Sequence, residues 1–316
     1  MAKNLLVTAI GSFSAAAVIQ SLVADSRITK TYGCDIYPKE WHHISKQFDD
    51  VFLSPRVSEE ENYLRFILKL INVYDINIII PLTDIEIDFF KKHRAHFSNI
   101  IITLGNDLFL NTARNKSILS DFVSKEGYKS IPSYKLEELG GAVYPIVGKP
   151  VDGRSSEGIT FLNSSDDLIK SKDYSNYIFQ TFITGNICTV DVIRNAETFE
   201  IVIIPRKELV RTKNGAGMTV ELFYDQKLIE LSRKIAEGLG ASGAFNMEFI
   251  LNNDEYYLMD INPRFSAGIG FTKLMGYDFV KNTLNVFLNS PIEQVTEYKN
   301  MIVQKQMIEV INKVVS

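Results

Sequence analysis

The feature that most constrains the fold of this 316-residue chain is a pair of alternating runs, 244–250 and 256–264, separated by an Asn/Asp-rich turn. Apolar side chains recur at every second position; they are Phe245, Met247 and Phe249 in the first run and Tyr257, Met259 and Ile261 in the second. Because successive side chains of a β-strand point to opposite faces, each run has one apolar face that can enter a core. The pattern therefore predicts a β-hairpin.

The opposite face of this hairpin is polar. Asn246 and Glu248 lie on it in the first strand, and Asp260 and Asn262 in the second. A three-residue loop, 253–255, would put both apolar faces in one core and bring Glu248 opposite Asp260. Oxygen ligands without thiolates suit Mg²⁺ or Mn²⁺, and Mg²⁺ takes one or two carboxylates together with water and phosphate oxygens. We therefore predict a metal site here, with a solvated hairpin face as the alternative.

Composition sets the class of protein and its partners. The chain is 46% hydrophobic, carries a formal net charge of −4 and has no long basic run. These values predict a globular protein of two or three domains, without the electrostatic footprint needed for nucleic acid or an acidic membrane surface. No cationic segment precedes a long apolar run at the start, and no apolar run is long enough to span a bilayer. We expect a cytoplasmic protein with small-molecule partners, no nucleic acid and no membrane.

The first 110 residues have the pattern of a Rossmann-like unit. An apolar strand, a turn containing Gly11 and a helix are followed by a second strand that ends at Asp35. A dinucleotide site needs more glycines where the backbone approaches the pyrophosphate, so an NAD(P)-dependent dehydrogenase is the weaker alternative. Asp84 follows a later strand at its carboxyl end, where open α/β sheets bind ligands. We predict that it contacts substrate, with a helix N-cap as the alternative.

From about residue 126 the pattern changes to short strands and glycine-bearing loops, which indicates a separate small lobe. One strand delivers Lys149 to the loop 150–158, which contains Ser155 and Ser156. A lysine beside hydroxyls and exposed backbone N–H groups is a phosphate-binding combination. The spacing is not that of a Walker loop, because the lysine precedes the glycines. An ordinary hairpin with a surface lysine is the alternative.

Two arginines lie further along the chain, near a second glycine loop. Arg206 follows an apolar strand at 201–204, and Arg211 precedes the loop 214–217. We predict that these cations, on and beside the loop, hold an anionic substrate or phosphate, with a solvated loop as the alternative.

Taken in order, these motifs resemble the ATP-grasp superfamily. They are Lys116, Lys149 with the loop 153–158, the segment 180–185, Glu248 and the segment 260–264. They are most similar to single-unit relatives of the carbamoyl-phosphate synthase large chain and of the pyrrolysine-pathway ligase, and they cover essentially the full chain. The resemblance implies an α/β fold in which a Rossmann-like pre-ATP-grasp domain precedes a two-lobed ATP-grasp domain. The implied boundaries are 1–110 for the first domain, 111–184 for a linker helix and small lid lobe, and 185–316 for the large lobe.

The resemblance also implies roles for individual residues. The residues it implies for ATP binding are Lys116, Lys149, Ser155, Ser156, Gln180, Thr181, Phe182 and Ile183, with the backbone of Thr181 and Ile183 pairing with adenine. The metal ligands it implies are Glu248, Asp260 and Asn262, and the catalytic residues are Arg264 and Lys149. Two positions depart from the family pattern. Ile187 stands where an acid usually binds the ribose hydroxyls, and Asp260 stands where the second metal ligand is usually Glu.

The chemistry implied is ATP-dependent carboxylate–amine ligation through an acyl phosphate, which releases ADP and phosphate and leaves an amide or peptide bond. A small-molecule carboxylate and an amine are the expected partners, and a homodimer is an allowed assembly. Residues that select the substrates are expected near Asp84, Arg206, Arg211 and Ser266. The dehydrogenase and a non-catalytic ATP-binding module remain as alternatives.

Overall fold

The computed structural model describes residues 3–153, 157–168 and 172–312. The N-terminal part is a five-stranded parallel sheet with strand order β3-β2-β1-β4-β5. Its strands are β1 (Lys3–Thr8), β2 (Ile28–Asp35), β3 (Asp50–Leu53), β4 (Ile76–Ile80) and β5 (Ile101–Ile102). Its helices are α1 (Ala15–Leu22), α2 (Glu60–Tyr74) and α3 (Asp84–Lys92), with short 3₁₀ turns at Lys39–Trp41, His43–Gln47 and Arg94–Phe97.

The order of these strands decides where a ligand can bind. β1 lies between β2 and β4. The chain continues toward one edge of the sheet after β1 and toward the other edge after β4. Such a switch point opens a crevice at the carboxyl ends of the two strands. The apolar run of β4 fits its place between β1 and β5, because an interior strand of a parallel sheet is buried on both faces. The loops 11–14 and 82–84 therefore meet at one edge of the sheet.

Two helices connect the parallel sheet to a small antiparallel lobe. They are α4 (Asp107–Ala113) and α5 (Lys116–Lys125), and each begins at an Asn whose side chain accepts hydrogen bonds from the first-turn amides. The lobe contains β6 (Ser133–Tyr134), β7 (Ile146–Pro150), β8 (Thr160–Leu162) and β9 (Tyr177–Thr181), in the order β6-β9-β7-β8, with 3₁₀ turns at Leu136–Gly141 and Ser165–Asp167. Its core surrounds the buried Phe179.

The remaining residues build a six-stranded sheet with the order β14-β13-β10-β11-β12-β15. The strands are β10 (Asn186–Arg194), β11 (Ile201–Arg211), β12 (Gly217–Leu222), β13 (Gly243–Asn252), β14 (Glu255–Asn262) and β15 (Met301–Gln304). The helices are α6 (Gln226–Gly238), α7 (Ile269–Leu274) and α8 (Phe279–Phe287). Leu228 and Ile235 of α6 share a core with Val190 and Met247, so the opposite face of these central strands is left for polar side chains.

β11 is longer than the sequence indicated, because it continues through Arg206 to Arg211. Pro205, which has no N–H and so argued for the end of the strand, lies within the ladder opposite Val190. Register shifts after Glu208 and Val210 bend the strand toward the glycine loop. The prediction that Arg206 lies on a loop is therefore wrong, whereas Arg211 does end the strand beside the loop.

The hairpin is present, and Glu248 pairs with Asp260 as predicted. The predicted three-residue loop is wrong, because Asn252 pairs with Glu255 around a two-residue turn. Asn253 and Asp254 both have positive φ, at 48° and 58°, which is the conformation that two-residue hairpin turns require.

An extra residue in β14 compensates for the shorter turn. Phe249 pairs with Leu258 and Glu248 pairs with Asp260, so Met259 is the residue of a β-bulge. The bulge reverses the alternation between the turn and Met259. Tyr256 and Leu258 are therefore buried in the core, and the prediction that Tyr257 and Met259 enter it is wrong.

Candidate active site

A cavity of about 600 Å³ lies where the three parts of the chain meet. The carboxyl-end loops of the parallel sheet and the start of α3 supply one wall, with Ser12, Phe13, Ser14, Thr83 and Ile85. Lys149 from β7 and Lys116 from the start of α5 supply a second wall. The floor is the polar face of the six-stranded sheet.

The strand register arranges the floor in rows. Thr189 pairs with Arg206 on one side and with Glu248 on the other, and Glu248 pairs with Asp260. Side chains of directly paired residues lie on the same face of a sheet, so these four point the same way. The next row contains Asp191, Asn246 and Asn262, because residues two apart on a strand share a face.

The two lysines and the two hairpin carboxylates form one charged group. Lys116 Nζ lies 3.3 Å from Asp260 Oδ2 and donates to the Gly153 carbonyl at 2.8 Å. Glu248 Oε2 lies 3.0 Å from Arg211 Nη2, and Arg211 Nε donates to the Gly215 carbonyl at 2.8 Å. Each hairpin carboxylate therefore already has a cationic partner.

Burial shifts the pKa of groups in this cluster. It lowers the pKa of Lys149 from 10.5 to about 8, with Lys116 adding to the decrease and Asp260 opposing it. Burial raises the pKa of Glu248, and the neighbouring charge of Asp260 acts in the same direction, while Arg211 opposes both. Such shifts cluster at functional sites, and here they affect the residues that the sequence analysis selected.

The donor atoms fit Mg²⁺ and a nucleotide polyphosphate. In the described residues no group of three or more His, Cys, Asp and Glu side chains forms a metal cluster. The candidate ligands are thus two carboxylates, Glu248 and Asp260, and one carboxamide. Asn262 donates its Nδ2 to Asn246 Oδ1 at 3.1 Å, which turns its carbonyl oxygen away from Asn246. Two carboxylates leave coordination positions for phosphate and water oxygens, as Mg²⁺ prefers.

Arg264 and Asp84 form an ion pair. Arg264 Nε lies 3.0 Å from Asp84 Oδ1 and Arg264 Nη2 lies 2.9 Å from Asp84 Oδ2, which is a bidentate pair. Although burial works to raise it, the pKa of Asp84 is held below its ordinary value by the Arg264 guanidinium. Asp84 is the first residue of α3 and Thr83 is the N-cap, so the alternative reading of Asp84 as an N-cap is wrong.

The other predicted substrate residues also line the cavity. Arg206 is buried and forms ion pairs with Asp191 and with Glu208, whose Oε1 lies 3.0 Å from Arg206 Nε. Ser266 is buried beside them on the loop that follows Arg264. The prediction that Arg206 and Arg211 contact substrate remains a prediction, and both arginines have carboxylate partners.

The predicted adenine hinge lies at the end of β9. The Thr181 amide donates to the Pro132 carbonyl at 3.0 Å, and the Phe182 amide donates to the Pro145 carbonyl at 2.8 Å. The Thr181 N–H is therefore already engaged, which leaves its carbonyl for the predicted pairing with adenine. Gln180 is buried and, with Lys116 and Met259, lines a small cavity of about 10 Å³. The hinge role of Ile183 remains a prediction, and Ser155 and Ser156 lie outside the described residues.

Met259 and Glu208 are among the cavity residues that the sequence analysis did not assign to the site. Met259 lines the cavity because it occupies the β-bulge, which an alternating apolar run does not reveal. Glu208 faces the cavity beside Arg206, and its position two residues along the same strand is a signal that could have identified it.

Comparisons with known proteins agree with this geometry. Residues 113–268 match the model of the ATP-grasp domain, so the chain contains an ATP-grasp domain. A relative of known activity is the D-alanine–D-alanine ligase of Fusobacterium nucleatum, which is 29% identical over 184 residues. That match covers 51% of this chain and 63% of the ligase, so the chain spans less than two thirds of that relative.

Solved structures share the fold across nearly the whole chain. Biotin carboxylase from Campylobacter jejuni, in complex with β,γ-ATP, has a TM-score of 0.79 at 16% identity, covering 94% of this chain and 74% of that one. N5-carboxyaminoimidazole ribonucleotide synthetase from Thermotoga maritima has a TM-score of 0.70 at 16% identity, covering 95% and 79%. The predicted α/β fold with an ATP-grasp domain is confirmed. None of the helices in residues 3–153, 157–168 and 172–312 has the length and hydrophobicity needed to cross a bilayer.

The lowered pKa of Lys149 predicts a pH-dependent affinity for nucleotide. ADP should bind more weakly as the pH rises through about 8, because Lys149 loses its proton there and with it the charge that attracts phosphate. Calorimetric titration of ADP between about pH 7 and 9 measures this. In Lys149→Arg the decrease should be much smaller, since a guanidinium stays protonated throughout. The same decrease in both proteins would contradict the assignment.

The pair between Arg264 and Asp84 predicts a stabilising contact between the parallel sheet and the large lobe. Asp84→Asn should lower the free energy of unfolding by about 3 kcal/mol, because it leaves a partly buried arginine without its carboxylate. Asp107→Asn is the control, since Asp107 is 60% exposed and its partner Arg94 is 43% exposed, against 4% for Asp84 and 21% for Arg264. Its cost should stay below about 1 kcal/mol. Urea denaturation measures both, and equal costs would contradict this account.

Proposed function

We propose that this chain is an ATP-dependent carboxylate–amine ligase, which forms an amide or peptide bond and releases ADP and phosphate. The observation that carries the proposal is the convergence of Lys116, Lys149, Glu248 and Asp260, from four separate elements, on one cavity of about 600 Å³. This is the charge arrangement that phosphoryl transfer needs, since positioned cations neutralise the phosphates. The ATP-grasp domain and the ligase relative support the same activity.

The reaction has two steps. A substrate carboxylate oxygen attacks the γ-phosphorus of ATP, the bond to the β-phosphate oxygen breaks, and ADP leaves an acyl phosphate behind. An uncharged amine then attacks the acyl carbon, phosphate leaves, and the amine loses a proton to give the amide. Closing the small lobe over the cavity would exclude the water that otherwise hydrolyses the acyl phosphate.

Different residues of the chain carry out different parts of this reaction. Lys116 and Lys149 bind the phosphates, and Glu248, Asp260 and Asn262 would hold Mg²⁺. When bound, Mg²⁺ supplies positive charge at the phosphate oxygens as negative charge develops there. Arg264 stabilises the oxyanion that forms when the amine attacks the acyl carbon, and Asp84 keeps its guanidinium in place for that role.

The two residues on which the dehydrogenase alternative depends, Gly11 and Asp35, are hydrogen-bonded to each other. Gly11 donates its N–H to Asp35 Oδ2 at 2.8 Å, and Asp35 Oδ1 accepts from the Tyr37 amide at 3.0 Å. The turn and the acid that a dinucleotide would use are therefore bound to each other. A Cβ atom on Gly11 would lie 2.9 Å from His42 Cε1, so the absence of a side chain there is explained by packing.

The proposal extends to partners and location. Small-molecule carboxylate and amine substrates fit a cavity of this size. A homodimer is proposed because one structurally similar protein, a biotin carboxylase domain from Hydrogenobacter thermophilus, is described as a dimer. Cytoplasmic location is supported by Cys34 and Cys188, which are both free and buried. Light scattering tests the dimer.

The ligase activity is tested with pools of amino acids and metabolite carboxylates. ADP should appear only when a suitable acid and amine are both present. Glu248→Gln should reduce that turnover by roughly 100-fold or more, since charge stabilisation by a metal contributes several kcal/mol. Glu255→Gln is the control on the same hairpin, because Glu255 pairs with Lys227 outside the cavity. It should keep full activity.

Two results would contradict the proposal. Unchanged turnover in Glu248→Gln would remove the metal site from the mechanism. Tight ATP binding without ADP release in any pool would instead identify a non-catalytic nucleotide-binding module.

A further inference from the structure

Two large apolar side chains are exposed on the cavity wall that the parallel sheet supplies. Phe13 is 52% exposed and Ile85 is 37% exposed, and both line the cavity. Phe13 lies just before α1, and Ile85 is the second residue of α3. Single exposed apolar residues are common on protein surfaces, but these two lie on one cavity wall.

The two side chains flank the crevice between β1 and β4. α1 packs against one face of the parallel sheet, in the core that contains Val7, and α3 packs against the other face, in the core that contains Leu6. The two helices follow neighbouring strands, so Phe13 and Ile85 lie on opposite sides of the crevice between those strands. A substrate group that enters the crevice therefore meets an apolar surface on each side.

The crevice offers no ionic partner to a charged side chain. Segments 11–14 and 82–85 contain one charged residue, Asp84, and both of its oxygens already accept from Arg264. The hydroxyl groups of Ser12 and Ser14 are hydrogen-bonded to each other, with their oxygens 3.0 Å apart. A charged side chain would therefore lose its water here without gaining an opposite charge, whereas an apolar side chain would lose nothing.

Lys305, which follows β15, fixes the Phe13 ring from the side of the large lobe. Its Nζ lies 5.2 Å from the centroid of the Phe13 ring and 5.6 Å from that of the Phe271 ring, and a cation over an aromatic ring is attracted to it. The same Nζ donates to the Ala267 carbonyl, and the backbone N–H of Lys305 donates to the Met218 carbonyl at 2.8 Å. The lysine therefore links the Phe13 ring to the six-stranded sheet.

The surroundings of Lys305 leave its charge in place at neutral pH. Burial lowers the pKa of Lys305 to about 8, and the charge of Arg206 acts in the same direction. Because this value is above 7, most molecules carry the cation over the Phe13 ring under ordinary conditions.

We propose that Phe13 and Ile85 bind the apolar side chain of a substrate, and that Lys305 is a positioning residue that holds the Phe13 ring for this contact. The substrate is then a carboxylate or amine with an apolar side chain, such as a hydrophobic amino acid. This inference rests on the proposed function, because it assigns a substrate of that reaction. A second copy of the chain is the other partner that could cover the Phe13 ring, and the experiment separates the two.

The test compares leucine with asparagine, whose side chains have similar shapes and differ mainly in polarity. Each is offered as acid and as amine, with pools of amino acids and metabolite carboxylates that lack both supplying the second substrate, and ADP release is measured. The wild type should have a kcat/KM at least about tenfold higher for leucine, since an apolar site discriminates by the burial of apolar surface. In Phe13→Ala this preference should fall to within about threefold, with the affinity for ADP unchanged.

Variants of Lys305 test its positioning role. Lys305→Met removes the charge but keeps a side chain that packs on the rings, and it should raise the KM for leucine about fivefold at constant kcat. Lys305→Arg should keep the wild-type KM, since a guanidinium also binds an aromatic face. In the double variant of Lys305→Met with Phe13→Ala, the KM should equal that of Phe13→Ala alone, because Lys305 acts through the ring.

Phe199 provides a matched control for Phe13. It is a phenylalanine that is 71% exposed, it has Arg194 Cζ 5.7 Å from its ring centroid, and it lies on the connection between β10 and β11, outside the cavity. Phe199→Ala should change neither the preference for leucine nor the affinity for ADP.

The outcomes are distinguishable. A kcat/KM for asparagine that equals that for leucine, or an unchanged preference in Phe13→Ala, overturns the apolar site and leaves the proposed ligase intact. Additive effects in the double variant, or the same increase of KM in Lys305→Arg, overturn the role of Lys305. A dimer that dissociates in Phe13→Ala while the preference is unchanged overturns the proposal in favour of a second copy. Absence of ADP release by the wild type with every pool overturns the proposed function itself.

Discussion

The structure depends on pairing opposite charges inside one cavity. Burying a carboxylate without a partner is costly, so each acid on the floor is matched by a cation. The pairs are Lys116–Asp260, Arg211–Glu248, Arg206–Asp191, Arg206–Glu208 and Arg264–Asp84. A Mg²⁺ ion bound by Glu248 and Asp260 would replace Arg211 and Lys116 as their partners. Both cations would then be free to meet the charge of a polyphosphate, so the same pairs that stabilise the empty cavity prepare it for its ligand.

The cavity is complete only when all three parts of the chain are present. The parallel sheet contributes its switch-point loops, and Asp84 on one of them holds Arg264 of the large lobe. The small lobe contributes Lys149 through β7, while Lys116 reaches Asp260 from the start of α5. Because these residues are far apart in sequence, the geometry of the site depends on the docking of the parts. The ion pair between Arg264 and Asp84 contributes a bidentate contact to that docking.

The sequence predicted the secondary-structure elements that carry the site better than it predicted the contacts between their side chains. The Rossmann-like order, the hairpin and the pairing of Glu248 with Asp260 followed from local periodicity and turn residues. The bulge at Met259 could not be predicted, because Tyr256, Tyr257, Leu258 and Met259 are all apolar and give no preference for either register. The ion pairs could not be predicted either, since Asp84 and Arg264 are 180 positions apart and a single sequence gives no distance between them. Glu208 was overlooked because the strand was predicted to end at 204, although Glu208 lies on the same strand as Arg206.

Crystallography with Mn²⁺ and ADP tests the central claim most directly, because manganese scatters anomalously and prefers the same oxygen ligands as Mg²⁺. The account predicts an anomalous peak about 2 Å from carboxylate oxygens of both Glu248 and Asp260, adjacent to the nucleotide phosphates. Metal bound elsewhere in the presence of ordered ADP, or ADP held outside this cavity, would contradict it.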